Sequence, residues 1–452
     1  MMPGRETAAR RATVRELSHA AVPAWVQLGH AVIRLPSLWE PDQRTLALPG
    51  AVLDAFGFDR GQAVYVFPAD GGQRLVVGPL VGIWVTPAML RSWKRGVRLL
   101  SQEVRGAGGI PFFFDLKGVD RAGGRIRGWT WQGGRLRPVT IPLPDVIYNR
   151  ATFPDPGPRA AARSLRRALW EEDAIPFVNL ASGFPKWETY QALRFFADTR
   201  PLVPETVRLE APAELAAFLS RHRLVFVKAD GGSHGTEVVR LRAVAGGWWI
   251  EGQVGRQRLR SRAADPAQVV EVLSRWIAGG VWVVQQGIQL PRLNGRRWDL
   301  RVEVKKDGTG TWTVPLIVVR LGHPATVTTN ISRGGTPFEL EAFRRRFGPL
   351  PALAGLKAKA TRVAVRVALA LEARFGPLGE IGVDVGLDPQ GRPWVFEANA
   401  KPQYGPSPRP EQARGLMAYA VQLALHAWAG REGGVNRPHP VASLQTFAGW
   451  AG

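Results

Sequence analysis

The sequence contains no cysteine. Disulfides, thiolate metal sites and a cysteine nucleophile are therefore excluded. Lysine is scarce as well: nine stand among the 60 basic residues, the rest being arginine. No run of about 18 apolar residues occurs, so no membrane span is expected. The opening MMPGRETAARRATVREL is charged and has no apolar core segment of the kind a secretory signal carries. Together these absences lead to the expectation of a soluble, cytoplasmic protein. Hydrophobic residues make up 45% and tryptophans number 17, as suits a folded chain, and 452 residues suffice for two or three domains. The formal net charge of +23 predicts attraction to polyanions: nucleotides, nucleic acid, acidic glycans or anionic surfaces. The charge is spread along the chain, without a long basic run.

In order, residues 1–20 read as a flexible basic tail. Residues 21–80 are β-rich and punctuated by Asp-Arg-Gly and Asp-Gly-Gly turns, as in a small accessory β-domain. Over 81–204 a helix at 86–106, the apolar strand GIPFFFDL and a strand at Ile147-Tyr148 follow one another, which implies a parallel α/β layer. A helix at 159–174 follows, and FPKWETYQAL starts another with Lys186 near its beginning. An extended linker at 200–212 marks a boundary. Strands and helices alternate again over 205–430, closed by an amphipathic helix at 412–429, and 431–452 form a tail.

The stretch richest in chemistry is GEIGVDVGLDPQGRPWVFEANAKP at 379–402. It reads as two strands joined by the turn Asp388-Pro389-Gln390-Gly391. Glu397 and Asn399 share a face of the second strand, and the turn should bring Asp384 within a residue or two of Glu397. Two carboxylates and an amide oxygen then converge, with Lys401 just beyond. Crowded carboxylates repel unless a cation compensates, and hard oxygen donors suit Mg²⁺ completed by substrate phosphates. A surface hairpin with a solvated polar face is the alternative.

Four other segments carry possible sites. Lys228 ends a strand and leads into a glycine-rich loop with Gly231, Gly232, Ser233, His234 and Gly235, where backbone N–H groups can approach a phosphate. It is not a P-loop, because it opens a strand rather than a helix, and a plain hairpin explains it equally. In Trp282–Gln286 an apolar strand ends in Gln285, Gln286 and Gly287, which could offer backbone donors and acceptors to an adenine edge; a buried strand end explains it equally. In WDLRVEV, alternation places Asp299, Arg301 and Glu303 on one face; Arg301 can fork a phosphate or serve an internal ion pair. The loop carrying Asn330 and Arg333 before two glycines is a second anion cradle or a simple turn.

The order of these segments resembles an ATP-grasp domain. The wording FPKWETY, FVKADGGSHGTEV, WDLRVEV, NISRGG, EIGVDVGLD and WVFEANAKP resembles the YheC/YheD family, the endospore-coat-associated ATP-grasp proteins, over residues 140–430. The resemblance implies an α/β (α+β) protein: an ATP-grasp domain preceded by an α/β pre-grasp domain and a small N-terminal β-rich domain. It implies that Lys186 and Lys228 contact ATP, that residues 231–235 cover the triphosphate, and that Gln285 to Gly287 line the adenine slot. Arg301 and Arg333 would hold the γ-phosphate and an acyl-phosphate oxyanion, with Lys401 a nearby anion contact. Asp384, Glu397 and Asn399 would bind Mg²⁺. Ala229 stands where the family's loop suggests proline.

The activity so implied is that of a Mg-ATP-dependent carboxylate–amine ligase working through an acyl phosphate and linked to the spore coat or envelope. Its partners would be ATP and an unidentified acid and amine, the acid polymeric or a coat component. Two rivals stand beside it: an ATP-binding assembly protein of the coat without turnover, and a basic nucleic-acid binder.

Overall fold

A computed structural model describes residues 9–18, 21, 23–231, 237–255, 257–277, 279–323, 329, 334–348, 354–405 and 408–431. The chain divides into two compact units. The first comprises 1–182, 306–311 and 403–452, the second 183–305 and 312–402.

In the first unit a seven-stranded sheet is made by β1 (Arg10–Glu16), β2 (Pro23–Leu28), β3 (Ala31–Pro36), β4 (Leu38–Glu40), β5 (Thr45–Leu48), β6 (Ala63–Ala69) and β7 (Arg74–Gly78). Their spatial order is β3-β2-β7-β6-β1-β5-β4. Residues 10–16 were expected within a flexible tail and instead form β1, paired to both β5 and β6. The reason is alternation: Ala12 and Val14 point into the core while Arg11, Thr13 and Arg15 face outward. A second sheet holds β8 (Leu80–Trp84), β9 (Ile110–Asp120), β10 (Arg125–Gln132), β11 (Arg135–Pro142) and β12 (Val146–Asn149) in the order β11-β10-β9-β8-β12. β8 runs parallel to β9 and to β12, as the strand–helix–strand pattern implies.

The closing helix, Pro410–Arg431, was expected to finish the ATP-binding domain, but its residues belong to the first unit. Leu416, Met417, Ala420, Val421 and Ala424 are buried with Val97, Leu100 and Val104 of the helix Lys94–Gly106. Amphipathicity says that a helix has a core, not which core. The division also falls after Ser182 rather than near 204.

The second unit carries the site. Its first sheet contains β13 (Thr206–Arg208), β14 (Leu224–Ala229), β15 (Glu237–Val244), β16 (Gly247–Val254), β17 (Gln257–Ala263) and β18 (Trp282–Gln286), ordered β13-β18-β14-β15-β16-β17. One face packs Val225, Val227, Val239, Leu241 and Ile250 against the helices Pro212–Arg221 and Pro266–Ser274. Its second sheet contains β19 (Arg292–Leu293), β20 (Arg296–Lys306), β21 (Trp312–Leu321), β22 (Thr336–Glu339), β23 (Glu380–Leu387) and β24 (Pro393–Asn399). The order is β22-β21-β20-β23-β24, with β19 on β20. The helix Leu356–Phe375 packs on β21, β23 and β24. Among the described residues no helix is long and apolar enough to cross a membrane.

Candidate functional site

The hairpin β23–β24 closes through a self-capped turn. Asp388 accepts hydrogen bonds from the N–H groups of Gln390 (3.0 Å) and Arg392 (2.8 Å) and from Trp394 Nε1 (3.0 Å). Gly391 sits at φ +74°, where a side chain would be strained. The register then sets Asp384 directly opposite Glu397 and Gly382 opposite Asn399, with a bulge following Asp384. On the other side Arg301 of β20 pairs with Asp384. Residues opposite one another share a face, so Asp384, Glu397, Asn399 and Arg301 lie on one side of this sheet.

Asp384 is held from two directions. Arg301 Nη1 lies 2.7 Å from Oδ1 and Arg320 Nη1 lies 3.0 Å from Oδ2. Arg320, on β21, also forks Asp299 (Nε–Oδ1 2.8 Å, Nη2–Oδ2 2.7 Å), and Thr329 Oγ1 donates to Asp299 at 2.5 Å. Burial disfavours the charge of Arg320, but Asp299 and Asp384 outweigh it and hold the guanidinium protonated. The sequence reading passed over Arg320. Its signal was an arginine closing the apolar run TVPLIVV, where a cation needs acids of the neighbouring strands.

Two carboxylates and an amide oxygen are donors of the kind that a hard divalent ion takes. Asp384 Oδ1 is buried and, despite the neighbouring guanidinium, makes no aligned hydrogen bond. The Glu397 carboxylate and the Asn399 amide are half-buried beside it. Among the described residues no group of three or more His, Cys, Asp and Glu side chains could hold a metal. A magnesium ion here would therefore depend on two carboxylates, one amide and ligands brought by the substrate, which is its usual habit.

A cleft opens within the same unit, lined by Lys186, Lys228, Gln285 and Glu397 together with Phe184, Tyr190 and Val395. Lys228 Nζ donates to Gln285 Oε1 at 2.6 Å, and Gln285 Nε2 donates to Thr206 Oγ1 at 3.0 Å. Gln285 thus reaches the site through its side chain, whereas the sequence suggested its backbone. Gln286 is spent on Glu205, the residue before β13, with which it exchanges bonds of 2.8 and 3.2 Å. Gly287 lies so close to β14 that a Cβ would meet Leu224 Cγ at 2.3 Å, which accounts for glycine there. Lys186 opens the helix Lys186–Phe195, and Asp230 Oδ1 accepts from Trp187 N–H at 2.7 Å, an acid at a helix N-terminus. The start of the glycine loop is so tied to the helix bearing Lys186. Gly231 is exposed at the loop's first turn, and Lys401 is half-buried two residues beyond β24. Gly232, Ser233, His234, Gly235, Asn330 and Arg333 lie outside the described residues.

Burial pushes the Lys228 ammonium down to about 8; Glu397 and Asp384 oppose this and Lys186 adds to it. A bound anion favours the charged form, so nucleotide binding should take up a proton where free Lys228 is partly neutral. The affinity for Mg-ATP is then expected to be flat below pH 7 and to fall as pH rises through 8. Lys228→Arg, charged throughout, should flatten that fall. Calorimetry in buffers of differing ionisation enthalpy reads the proton directly, and an unchanged slope in the arginine variant would refute the assignment.

The family model described as YheC/D-like ATP-grasp matches residues 174–426. Endospore coat-associated protein YheD of Bacillus subtilis (strain 168) is 27% identical over 334 residues, covering 72% of this chain and 73% of the relative. Endospore coat-associated protein YheC of the same organism is 22% identical over 261 residues, 58% of this chain and 71% of its own. Among solved structures, the D-cycloserine synthetase DcsG is similar with a TM-score of 0.46 at 16% identity, covering 76% of this chain and 99% of its own. D-alanyl-alanine synthetase A from Vibrio cholerae O1 biovar eltor gives 0.46 at 12%, covering 78% and 99%.

Proposed function

Because the chain belongs to the YheC/D-like ATP-grasp family, we propose that it is an ADP-forming ligase that joins a carboxylate to an amine or related nucleophile through an acyl phosphate. The observation carrying this reading is that Lys186, Lys228 and Glu397 line one cleft, with Asp384 paired to Glu397 across the hairpin. The cations proposed to meet phosphate and an acid proposed to hold the metal would there face a common space.

Lys228 and Lys186 would meet the phosphates of ATP, and the apolar lining from Phe184 and Val395 would take the base. Asp384, Glu397 and Asn399 would hold Mg²⁺, which when bound offsets the negative charge of the β- and γ-phosphates. Arg301, on the same face as Asp384, stands where a guanidinium could accept charge developing on the transferred group. A substrate carboxylate oxygen attacks the γ-phosphorus, ADP departs, and an amine then displaces phosphate from the acyl carbon. No protein nucleophile is required, in keeping with the absence of cysteine. The relatives' designation as endospore coat-associated supports a substrate in the spore coat or envelope.

Millimolar Mg-ATP is expected to raise the melting temperature, by the binding of ligand to the folded state alone. Release of ADP is expected on adding the right acid and amine from a panel of spore-envelope compounds. A melting temperature unmoved by Mg-ATP would overturn the reading. Stabilisation without ADP release across the panel would favour the assembly protein instead.

A further inference from the structure

The face of the first sheet opposite its apolar core is lined with arginine. Register places Arg240 of β15 opposite Glu251 of β16, and Glu251 opposite Arg260 of β17. The next row is Arg242, Trp249 and Arg262, and Gln253 faces Arg258. Lys228 stands on this face too, opposite Val238. Arg240 Nη2 pairs with Glu251, but among the described residues Arg242, Arg258, Arg260, Arg262, Arg292 and Arg297 have no ion pair. Five of these six are exposed, Arg297 being half-buried. Desolvation and the like charges of Arg297, Arg242 and Arg292 lower the Arg240 guanidinium to about 10, and Arg297 is lowered for the same reasons. Cations crowded in this way repel one another until an anion is laid across them.

We infer that this arginine-lined face is the docking surface for an extended, carboxylate-rich polypeptide, whose acidic side chains supply or flank the group activated in the cleft. Side chains on one face of an extended chain recur about every 6.6–6.8 Å, the same repeat that separates Arg258, Arg260 and Arg262 along β17. Guanidinium forks match carboxylates in pairs. Single-stranded nucleic acid needs open aromatic platforms. Here Arg262 covers Trp249 at 5.5 Å and Lys228 covers Phe226 at 5.7 Å. The acidic peptide is therefore the better occupant. The inference deepens the ligase reading by naming its substrate class, yet the two can fail separately.

The test is fluorescence anisotropy of a labelled decaglutamate with the full chain, beside a labelled decathymidylate at equal ionic strength. The triple variant Arg258→Glu, Arg260→Glu, Arg262→Glu is expected to weaken decaglutamate binding ~10-fold or more. The charge-matched triple Arg91→Glu, Arg95→Glu, Arg98→Glu, on exposed positions of the first unit, should change it less than about twofold. The milder triple to glutamine repeats the measurement should the glutamate triple not fold. Equal weakening by both triples, tighter binding of decathymidylate lost in the sheet variant, or no decaglutamate binding would each overturn the proposal. Mg-ATP stabilisation retained without peptide binding sinks the docking surface alone; peptide binding without Mg-ATP stabilisation sinks the ligase alone.

Discussion

Arg320→Met is expected to lower the unfolding free energy by about 3–5 kcal/mol, the loss that follows when one partner of a buried ion-pair network is removed. Arg320 is 4% exposed, and the acids it joins, Asp299 and Asp384, are 3% and 6% exposed. Methionine fills much of the volume but leaves Asp299 with Thr329 and Asp384 with Arg301. Each acid then keeps part of its compensation while remaining in a dry setting. Adding Asp299→Leu should recover part of the loss, because the uncompensated charge is then gone. Urea denaturation of the single and double variants measures both quantities. A loss below about 1 kcal/mol would mean that the network contributes little beyond what water supplies.

Arg320 also shows where sequence reading stops. The hairpin was legible residue by residue, because its turn is written locally in Asp388 and Gly391 and alternation assigns faces without knowledge of neighbours. The strand carrying Arg301 was legible for the same reason, down to an ion pair as the alternative to a phosphate contact. What binds Arg320 to Asp299 and Asp384 is the order of strands in a sheet, which no single strand encodes. The same limit explains the closing helix. Its apolar stripe is plain in the sequence, but the choice between two cores depends on Val97 and Leu100, more than 300 residues earlier. β1 was missed on composition: arginine-rich ends read as a tail unless the two buried positions between them are weighed. The side chain of Gln285, expected to present backbone to a base, is instead the partner of Lys228 across the sheet.

Glu397→Gln is expected to cost the fold little and the chemistry most. The side chain is half-buried, and an isosteric amide at such a position usually changes stability within about 0.5–1 kcal/mol. Two consequences reach the nucleotide. The oxygen pair facing Asp384 loses its charge, which weakens any divalent ion held there. Lys228 loses the largest of the influences that keep it protonated, so its ammonium is more often neutral near pH 7. Both act in one direction. The Mg-ATP-induced rise in melting temperature should vanish, and ADP release should fall at least about 100-fold, equivalent to ~2.7 kcal/mol of transition-state stabilisation. Asp384→Asn cannot separate these effects, because it also strips Arg301 and Arg320 of a shared counter-charge and so damages the sheet. Glu397 has no such structural duty among its described contacts, which makes it the cleaner probe. Wild-type ADP release from a folded Glu397→Gln protein would remove the carboxylate pair, and with it the ligase mechanism built upon it.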